Sequence, residues 1–485
     1  MKTIAAIDQG TTGTTVLLLD PQHRVVGRGY EEIPQHYPAP GWVEHDPEDY
    51  WRSTLRALAQ ARAAAGEPTI VAVGITNQRE TTVLWDKDTG APVAPAIVWQ
   101  DRRTQDLCAT LKQAGHEAEV QRKSGLLIDP YFSATKIAWL LDNVPGLRAR
   151  AEAGHIAFGT VDAYLAHRLS GGKAHVMDVT NASRTLLLSL ETLRFDPELC
   201  RLFGVPEALL PTLVPSCGQL ATLKGVPGIA DGTWLAGIAG DQQAALYGQD
   251  CLQEGQTKCT YGTGAFILMN TGARPVASRH RLLSSVAWQI DGATTYALEG
   301  SAFIAGALVQ WLRDGLGIIE KSADVEPLAR SVKDSGGITI VPALAGLGAP
   351  HWRPEARGLI SGITRGTTRA HLARAALEAI ALEVAELAQA LEADSGRTIP
   401  ALRVDGGATA NDLLLQIQAD LLGVDVLRPG FIELTALGAA KLAGHATGFF
   451  ATRAPPTPDT RFSPTLSSEE RQAAFSRWQR AVEKA

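Results

Sequence analysis

The chain has 485 residues, 45 basic and 51 acidic side chains and a formal net charge of −6. Nucleic acid and anionic membrane surfaces both require a concentrated basic face, so this weak acidity excludes them as main partners. The length exceeds what one hydrophobic core serves, and two large domains are expected.

The opening "TIAAID" is a short apolar run, "QGTTG" is turn-forming and "TTVLLLD" is rich in branched aliphatics, which predicts strand, turn, strand. "HDPEDYWRSTLRALAQARAAAG" predicts a helix, with Asp46 as its cap, Pro47 in its first turn and Gly66 after its last. "IVAVGITNQRE" returns to a strand that ends in polar residues. A second cycle begins near residue 235. "WLAGIAGD" reads as a strand, "QQAALYGQ" opens a helix, and "TKCTYGTGAFILMN" pairs a glycine turn with a strand. A helix-like "AFIAGALVQWLRDGLG", a long helix from about His371 to Asp394, and a strand, turn and helix in "ALRVDGGATANDLLLQIQADLLG" follow. Strands alternating with helices predict an α/β protein with substantial parallel sheet. The expected organisation is a first domain over 1–248, a second over 249–450, and an extended segment with a terminal helix over 451–485.

The five cysteines, Cys108, Cys200, Cys217, Cys251 and Cys259, are scattered with no CxxC pair, which reads as free thiols in a reducing compartment. The apolar run in "MKTIAAIDQG" is too short for a signal peptide, and no later stretch has the length and apolarity of a membrane span. A cytoplasmic protein without stable membrane insertion is expected.

Three glycine turns carry the chemistry. "IDQGTTG" places Asp8 at a strand end, followed by Gly10, Thr11, Thr12 and Gly13. Backbone N–H groups in such a turn can grip phosphate oxygens, the threonine hydroxyls add donors, and the carboxylate suits Mg²⁺, which prefers oxygen ligands. "YGTG" (261–264) and "VDGGATAN" (404–411) repeat the pattern. Each turn alone is equally well a plain connection between strands. Three of them, each after a strand and spread over both cycles, point to phosphate. A P-loop and a GxGxxG fingerprint after the first strand are both absent, which disfavours a Rossmann site. The stretch "GIAGDQQAALYG" (237–248) adds a puzzle, because Asp241, Gln242 and Gln243 sit in an otherwise apolar run and need hydrogen-bond partners.

With an Asp-x-Gly-Thr turn, a Gly-Thr-Gly turn and a Gly-Gly turn in this order, the chain resembles the actin-like ATPase superfamily. That resemblance implies two ribonuclease-H-like domains with ATP in the cleft between them. "YFSATKIAWLLDN" (131–143) and "GLISGITRGTTRAHLARAALE" (358–378) resemble the two signatures of the FGGY carbohydrate kinases. "GITNQRETT", "DPYFSATK", "DVTNASRT", "GIAGDQQAALYGQ" and "ALEGSAFIAGALVQWLRD" are similar to the glycerol-phosphorylating members of that family.

That resemblance implies ATP-dependent phosphorylation of glycerol to sn-glycerol 3-phosphate, with Mg²⁺, in a homo-oligomer of two or four copies. It puts the polyol on Arg79, Glu80, Tyr131, Asp241 and Gln242, with Trp99 and Phe266 against its carbon skeleton. Asp241 becomes the general base and Asp8 the Mg²⁺ anchor. Thr11, Thr12 and Gly13 meet the transferring phosphate, and Gly262, Thr263, Gly306, Gln310, Gly407 and Asn411 the nucleotide. Taken singly, Arg79–Glu80 is equally a solvated ion pair, Tyr131 a packed tyrosine, and Trp99 and Phe266 core aromatics. The chain departs from the family at Thr15, where an arginine is usual. Its task then falls to backbone N–H groups or to Arg102 and Arg103, or the nucleotide affinity is lower. The rival readings are a kinase of a pentulose or sugar acid, a non-catalytic actin-like ATP-binding protein, and a homologue without activity.

Overall fold

A computed structural model describes residues 1–431, 433–450 and 459–485. The first sheet is built from β1 (Lys2–Gln9), β2 (Gly13–Leu19), β3 (Val25–Glu32), β4 (Thr69–Asn77), β5 (Cys217–Thr222) and β6 (Trp234–Gly240), in the order β5-β6-β4-β1-β2-β3. β1, β2 and β3 are antiparallel neighbours, whereas β4 runs parallel to β1 and β6 parallel to β4. α1 (Pro47–Ala64) starts as expected: the Asp46 carboxylate accepts from the Glu48 N–H and Pro47 occupies the first turn.

Side chains alternate across a strand, and β1 uses both faces. Ala5 and Ile7, with Val16 and Leu18, pack toward Tyr50, Ala57 and Ala61 of α1. Ile4 and Ala6, with Leu17, Leu19, Ala72 and Ala236, face the other way. That second face is covered by α7, described below, which belongs to a distant part of the chain.

The second sheet repeats the core connectivity. β7 (Thr257–Tyr261), β8 (Ala265–Gly272), β9 (Leu283–Ile290), β10 (Ala293–Ala302), β11 (Ala401–Asp405), β12 (Asp425–Arg428) and β13 (Thr460–Phe462) lie in the order β9-β10-β8-β7-β11-β12-β13. Again a strand pairs antiparallel with its successor (β7 with β8) and parallel with later strands (β7 with β11, β11 with β12). Both sheets are therefore mixed, and the parallel pairing is confined to two neighbouring ladders in each. The helices used below are α2 (Ser133–Asn143), α3 (Asp241–Gly248), α4 (Gly306–Asp314), α5 (Arg369–Ser395), α6 (Asp412–Leu422), α7 (Leu434–Thr447) and α8 (Ser468–Val482). α5 buries Ala376, Ile380, Val384, Leu387 and Leu391 in the core of the second sheet.

α7 lies late in the sequence yet docks Ala436, Ala439, Ala440 and Ala443 on the first sheet. Backbones touch at this seam. A Cβ at Gly438 would fall 1.9 Å from the Ala244 carbonyl oxygen of α3, so only glycine fits there. α7 thus ties the second half of the chain to the first. The expected extended segment after Ala454 falls partly on residues 451–458, outside those described, and the expected terminal helix is α8. All five cysteines are buried free thiols. Among the described residues no helix is long and apolar enough to cross a membrane.

Candidate active site

β4 ends at Asn77, and the turn beyond it carries Arg79 and Glu80, both almost completely buried. Glu80 has φ 62, a left-handed conformation that costs a non-glycine residue about 1–3 kcal/mol and persists only where its surroundings hold it. Here the Glu80 carbonyl accepts from Ser133 Oγ at 2.9 Å, and its Oε1 accepts from Arg184 Nε at 2.6 Å. Arg79 Nη1 and Nη2 donate to the two carboxylate oxygens of Glu299 at 2.6 and 2.8 Å, and Nη1 also reaches Gln243 Oε1 at 3.3 Å. Arg79 Nε stands 3.1 Å from Asp241 Oδ1.

An arginine has five N–H donors. Three of those of Arg79 are taken by Glu299 and Gln243. One Nη2 N–H remains, along with the Nε–H that faces Asp241. On the acidic side, Glu80 Oε2 and Asp241 Oδ2 accept no hydrogen bond among the described residues. Asp241 Oδ1 is already held by the Gln242 N–H at 2.7 Å. Asp241 opens α3 immediately after β6 and keeps its side chain 30% exposed, the open end of an otherwise sealed cluster. Gln242 offers its amide beside it. Gln243 is accounted for internally, between Arg79 and the Val286 carbonyl.

Aromatic rings close the pocket. Trp99 meets Tyr131 edge-on with ring centroids 5.6 Å apart and Phe266 at 6.2 Å. Trp99 Nε1 donates to Thr11 Oγ1 at 3.0 Å, so the aromatic wall is joined to the first phosphate turn. The expected substrate residues Arg79, Glu80, Tyr131, Asp241, Gln242, Trp99 and Phe266 thus come together in one network, with Phe266 supplied by β8 of the second domain.

The electrostatics follow from two guanidiniums sharing three carboxylates. Burial alone would push Glu299 up, but Arg184 and Arg79 outweigh it and hold Glu299 at about 2. Burial raises Glu80 above its ordinary range despite the opposing pull of Arg184 and Arg79, and the nearby charge of Glu299 adds to the rise. The two arginines are correspondingly held protonated. Asp8, near the end of β1, is half-buried. Burial first, then the nearby charges of Asp241 and Glu433, push it up to about 8.

The second-domain residues expected at the nucleotide line one cleft of about 430 Å³. Gly262, Thr263, Gly306, Gln310, Gly407 and Asn411 all border it, with Val309, Leu377 and Ile380 supplying an apolar wall. The Thr263 carbonyl accepts from the Ala305 and Ala307 N–H groups, which docks the start of α4 on the glycine turn. Gly406 has φ 92, and a Cβ there would lie 2.4 Å from the Tyr261 carbonyl oxygen, so the turn after β11 can pack on β7 only as glycine. Thr11, Thr12 and Gly13 do not border this cleft. They form the β1–β2 turn, closed by the Gly10 N–H on the Gly13 carbonyl at 2.9 Å, with Thr12 exposed. Another cavity, about 590 Å³ among α5, α6 and α8, contains none of the expected site residues.

Two expectations change. Thr15 lies opposite Asp8 in the β1–β2 ladder, but Arg103 does not replace the missing arginine. Its guanidinium binds Asp101 at 2.7 Å and Glu44 at 2.8 Å and stacks on Trp42 at 3.8 Å, which holds it in the first-domain scaffold. Arg102 is likewise engaged by Asp129 at 2.9 Å. Asp241, expected at a strand end, is the first residue of a helix. Three residues of the network were not singled out from sequence: Arg184, Lys258 and Glu299. Glu299 and Lys258 are lone charges inside strand-like segments, "YALEGSAF" and "TKCTYG", and the same burial cost that singled out Asp241 applies to them.

Two sheets of one connectivity, with a turn-lined cleft on the second and a polar pocket on the first, define a kinase of the actin-like ATPase class. Residues 3–248 match the N-terminal domain of the FGGY family of carbohydrate kinases, and residues 257–447 match its C-terminal domain. The chain belongs to that family. It is 55% identical over 490 residues to the glycerol kinase of Alkalilimnicola ehrlichii, covering 100% of this chain and 98% of that one. It is 53% identical over 492 residues to that of Myxococcus xanthus, covering 100% and 99%. The fold is similar to Plasmodium falciparum glycerol kinase with ADP, with a TM-score of 0.93, 34% identity and coverage of 100% and 98%. It is also similar to a ligand-bound xylulose kinase from Lactobacillus acidophilus, with a TM-score of 0.90 at 22% identity and coverage of 100% and 98%, a likeness of fold alone.

Proposed function

We propose that this enzyme transfers the γ-phosphoryl group of ATP to a terminal hydroxyl of glycerol, releasing ADP and sn-glycerol 3-phosphate as a step of glycerol catabolism. The observation that carries the reading is the set of open polar atoms around Arg79. Donors remain on Arg79 Nη2, the Gln242 amide and the Tyr131 hydroxyl, and acceptors on Glu80 Oε2 and Asp241 Oδ2. Three hydroxyls on a thin hydrocarbon edge match such a set, with Trp99 and Phe266 beside the carbons. A pocket of this kind rejects analogues that leave its buried polar groups unpaired.

Phosphoryl transfer depends on alignment and on neutralising the moving charge, with a carboxylate accepting the hydroxyl proton. In the proposed mechanism Asp241 accepts that proton on Oδ2. Arg79 holds the Asp241 carboxylate through Oδ1, and Glu80 and Gln242 fix the remaining hydroxyls. The attacking oxygen bonds to the γ-phosphorus as the bond to the β-γ bridging oxygen breaks. Thr11, Thr12 and Gly13 present hydroxyl and N–H donors to the group in transit, and the Gly262–Thr263 turn holds the nucleotide phosphates. With residue 15 a threonine and both neighbouring arginines engaged, backbone N–H groups carry the donation that an arginine would otherwise make.

The residues present fit Mg²⁺ as a water-mediated ion. Asp8 is a carboxylate whose charge is disfavoured by burial and then by Asp241 and Glu433, and a cation there would offset both. No group of three ligating side chains lies close enough to hold an ion alone among the described residues. Asp8 would therefore act through water, as Mg²⁺ commonly requires. When bound, the ion neutralises phosphate charge. A cytoplasmic homo-oligomer of two or four copies completes the proposal, checked by sedimentation.

The test is ADP release from ATP with a panel of glycerol, xylulose and gluconate. Glycerol is expected to give the highest kcat/KM. Faster turnover of xylulose or gluconate would overturn the assignment.

A further inference from the structure

Lys258, in β7 of the second domain, is fully buried and reaches a first-domain side chain. Its ammonium donates to Gln242 Oε1 and, at 2.8 Å, to Thr260 Oγ1. Burial lowers its pKa, while the carboxylates of Asp405 and Asp241 pull the other way and favour the charged form. A buried ammonium is expensive, and an apolar side chain of similar volume would pack here at less cost. Stability therefore gives no reason for a lysine at this position.

Geometry gives one. An ammonium has three donors and no acceptor, whereas a glutamine amide has one acceptor end and one donor end. Lys258 can meet only the oxygen of Gln242, which fixes the amide and leaves Nε2 as the end turned away from it. Among the described residues Nε2 makes no hydrogen bond, and the neighbouring residue is Asp241, the proposed base. We propose that Lys258 is a positioning residue for the acceptor site: it sets the Gln242 amide so that a donor, never an acceptor, faces a polyol hydroxyl. This rests on the glycerol-kinase reading above. β7 runs directly into the Gly262–Thr263 turn, so the strand that delivers the nucleotide turn also presets the acceptor pocket across the interface.

The test is a double-mutant cycle of K258M and Q242A in the full-length enzyme, with K258L as a second apolar replacement should K258M fold poorly. An amide that binds ground and transition states alike changes KM and spares kcat. The lysine variant is expected to raise the glycerol KM about tenfold, the order of one hydrogen bond, with kcat and the ATP KM within about twofold of wild type. Q242A should do the same, and the double variant should be no worse than the poorer single one. An unchanged glycerol KM in the lysine variant, additive losses in the double variant, or matched losses of kcat and Tm would overturn the proposal. Absence of glycerol-dependent turnover in the wild-type enzyme would instead sink the functional reading on which it rests.

Discussion

Replacing Glu299 by Gln removes the carboxylate on which two buried guanidiniums converge. Glu299 is completely buried, takes both Nη groups of Arg79 at 2.6 and 2.8 Å, and lies 3.4 Å from Arg184 Nη2. Arg184 is fully buried too, and its Nη1 has no partner among the described residues, so the variant leaves it poorly compensated. The Glu299 pKa falls from 4.5 to about 2 because the guanidiniums outweigh the burial penalty. That depression corresponds to about 3 kcal/mol of preference for the charged form. Breaking a buried pair on one side costs about 3–5 kcal/mol, in the same range. The group is depressed, so its contribution is fully present above pH 4.5 and is lost as the pH falls toward 2. Urea denaturation at pH 7 should show E299Q destabilised by about 3 kcal/mol. The gap from wild type should narrow steadily below pH 4.5. The glycerol KM should rise as well, because Arg79 loses the partner that orients it. A loss below about 1 kcal/mol at pH 7, the value of an exposed pair, would refute the reasoning.

Asp241→Asn should lower kcat by about 10³-fold, within the range of general-base contributions, while calorimetry finds ATP affinity within about twofold of wild type. Turnover within tenfold of wild type would contradict the base assignment. Gly438→Ala places a methyl 1.9 Å from the Ala244 carbonyl oxygen and should cost about 1–3 kcal/mol as α7 is forced from α3. A wild-type urea midpoint would show that the seam is looser than described. Asn411→Ala removes both a residue of the nucleotide cleft and the cap of α6, where Asn411 Oδ1 accepts from the Leu414 N–H at 2.9 Å. It should cost about 1 kcal/mol of stability and raise the ATP KM with the glycerol KM unchanged. A rise in the glycerol KM of equal size would contradict the separation of the two subsites.

Local signals were legible in the sequence. The capping and the first turn of α1 were readable at Asp46 and Pro47, and the strand-turn-strand pattern located the Thr11–Gly13 and Gly262–Thr263 turns. The polar pair Asp241–Gln242 in an apolar run marked the acceptor pocket because burial demands a partner for each, whereas Arg79–Glu80 was placed there by the family resemblance alone. Partners supplied from a distance were not legible. Glu299 lies 220 residues beyond Arg79, and nothing in the spacing of the two charges states that β10 and the turn after β4 meet. Lys258 was passed over because a lysine in a strand ordinarily reaches solvent. The helix α7 was not singled out in the sequence, and its alanine stripe does not state which sheet it covers. Substantial parallel sheet was expected from βα alternation, yet each sheet also carries an antiparallel run, β1–β2–β3 at one edge of the first and β7–β8–β10–β9 along one side of the second. Arg103 was misjudged for a related reason: its charge was visible, but the Asp101, Glu44 and Trp42 that occupy it were not.

The most direct measurement of the central claim is a crystal structure of the enzyme with glycerol and a non-hydrolysable ATP analogue. The account predicts one terminal hydroxyl within hydrogen-bond distance of Asp241 Oδ2 and in line with the γ-phosphorus. The other two hydroxyls should lie on Arg79, Glu80 and Gln242, with the carbons against Trp99 and Phe266. Glycerol bound elsewhere, or with no hydroxyl on Asp241, would contradict it.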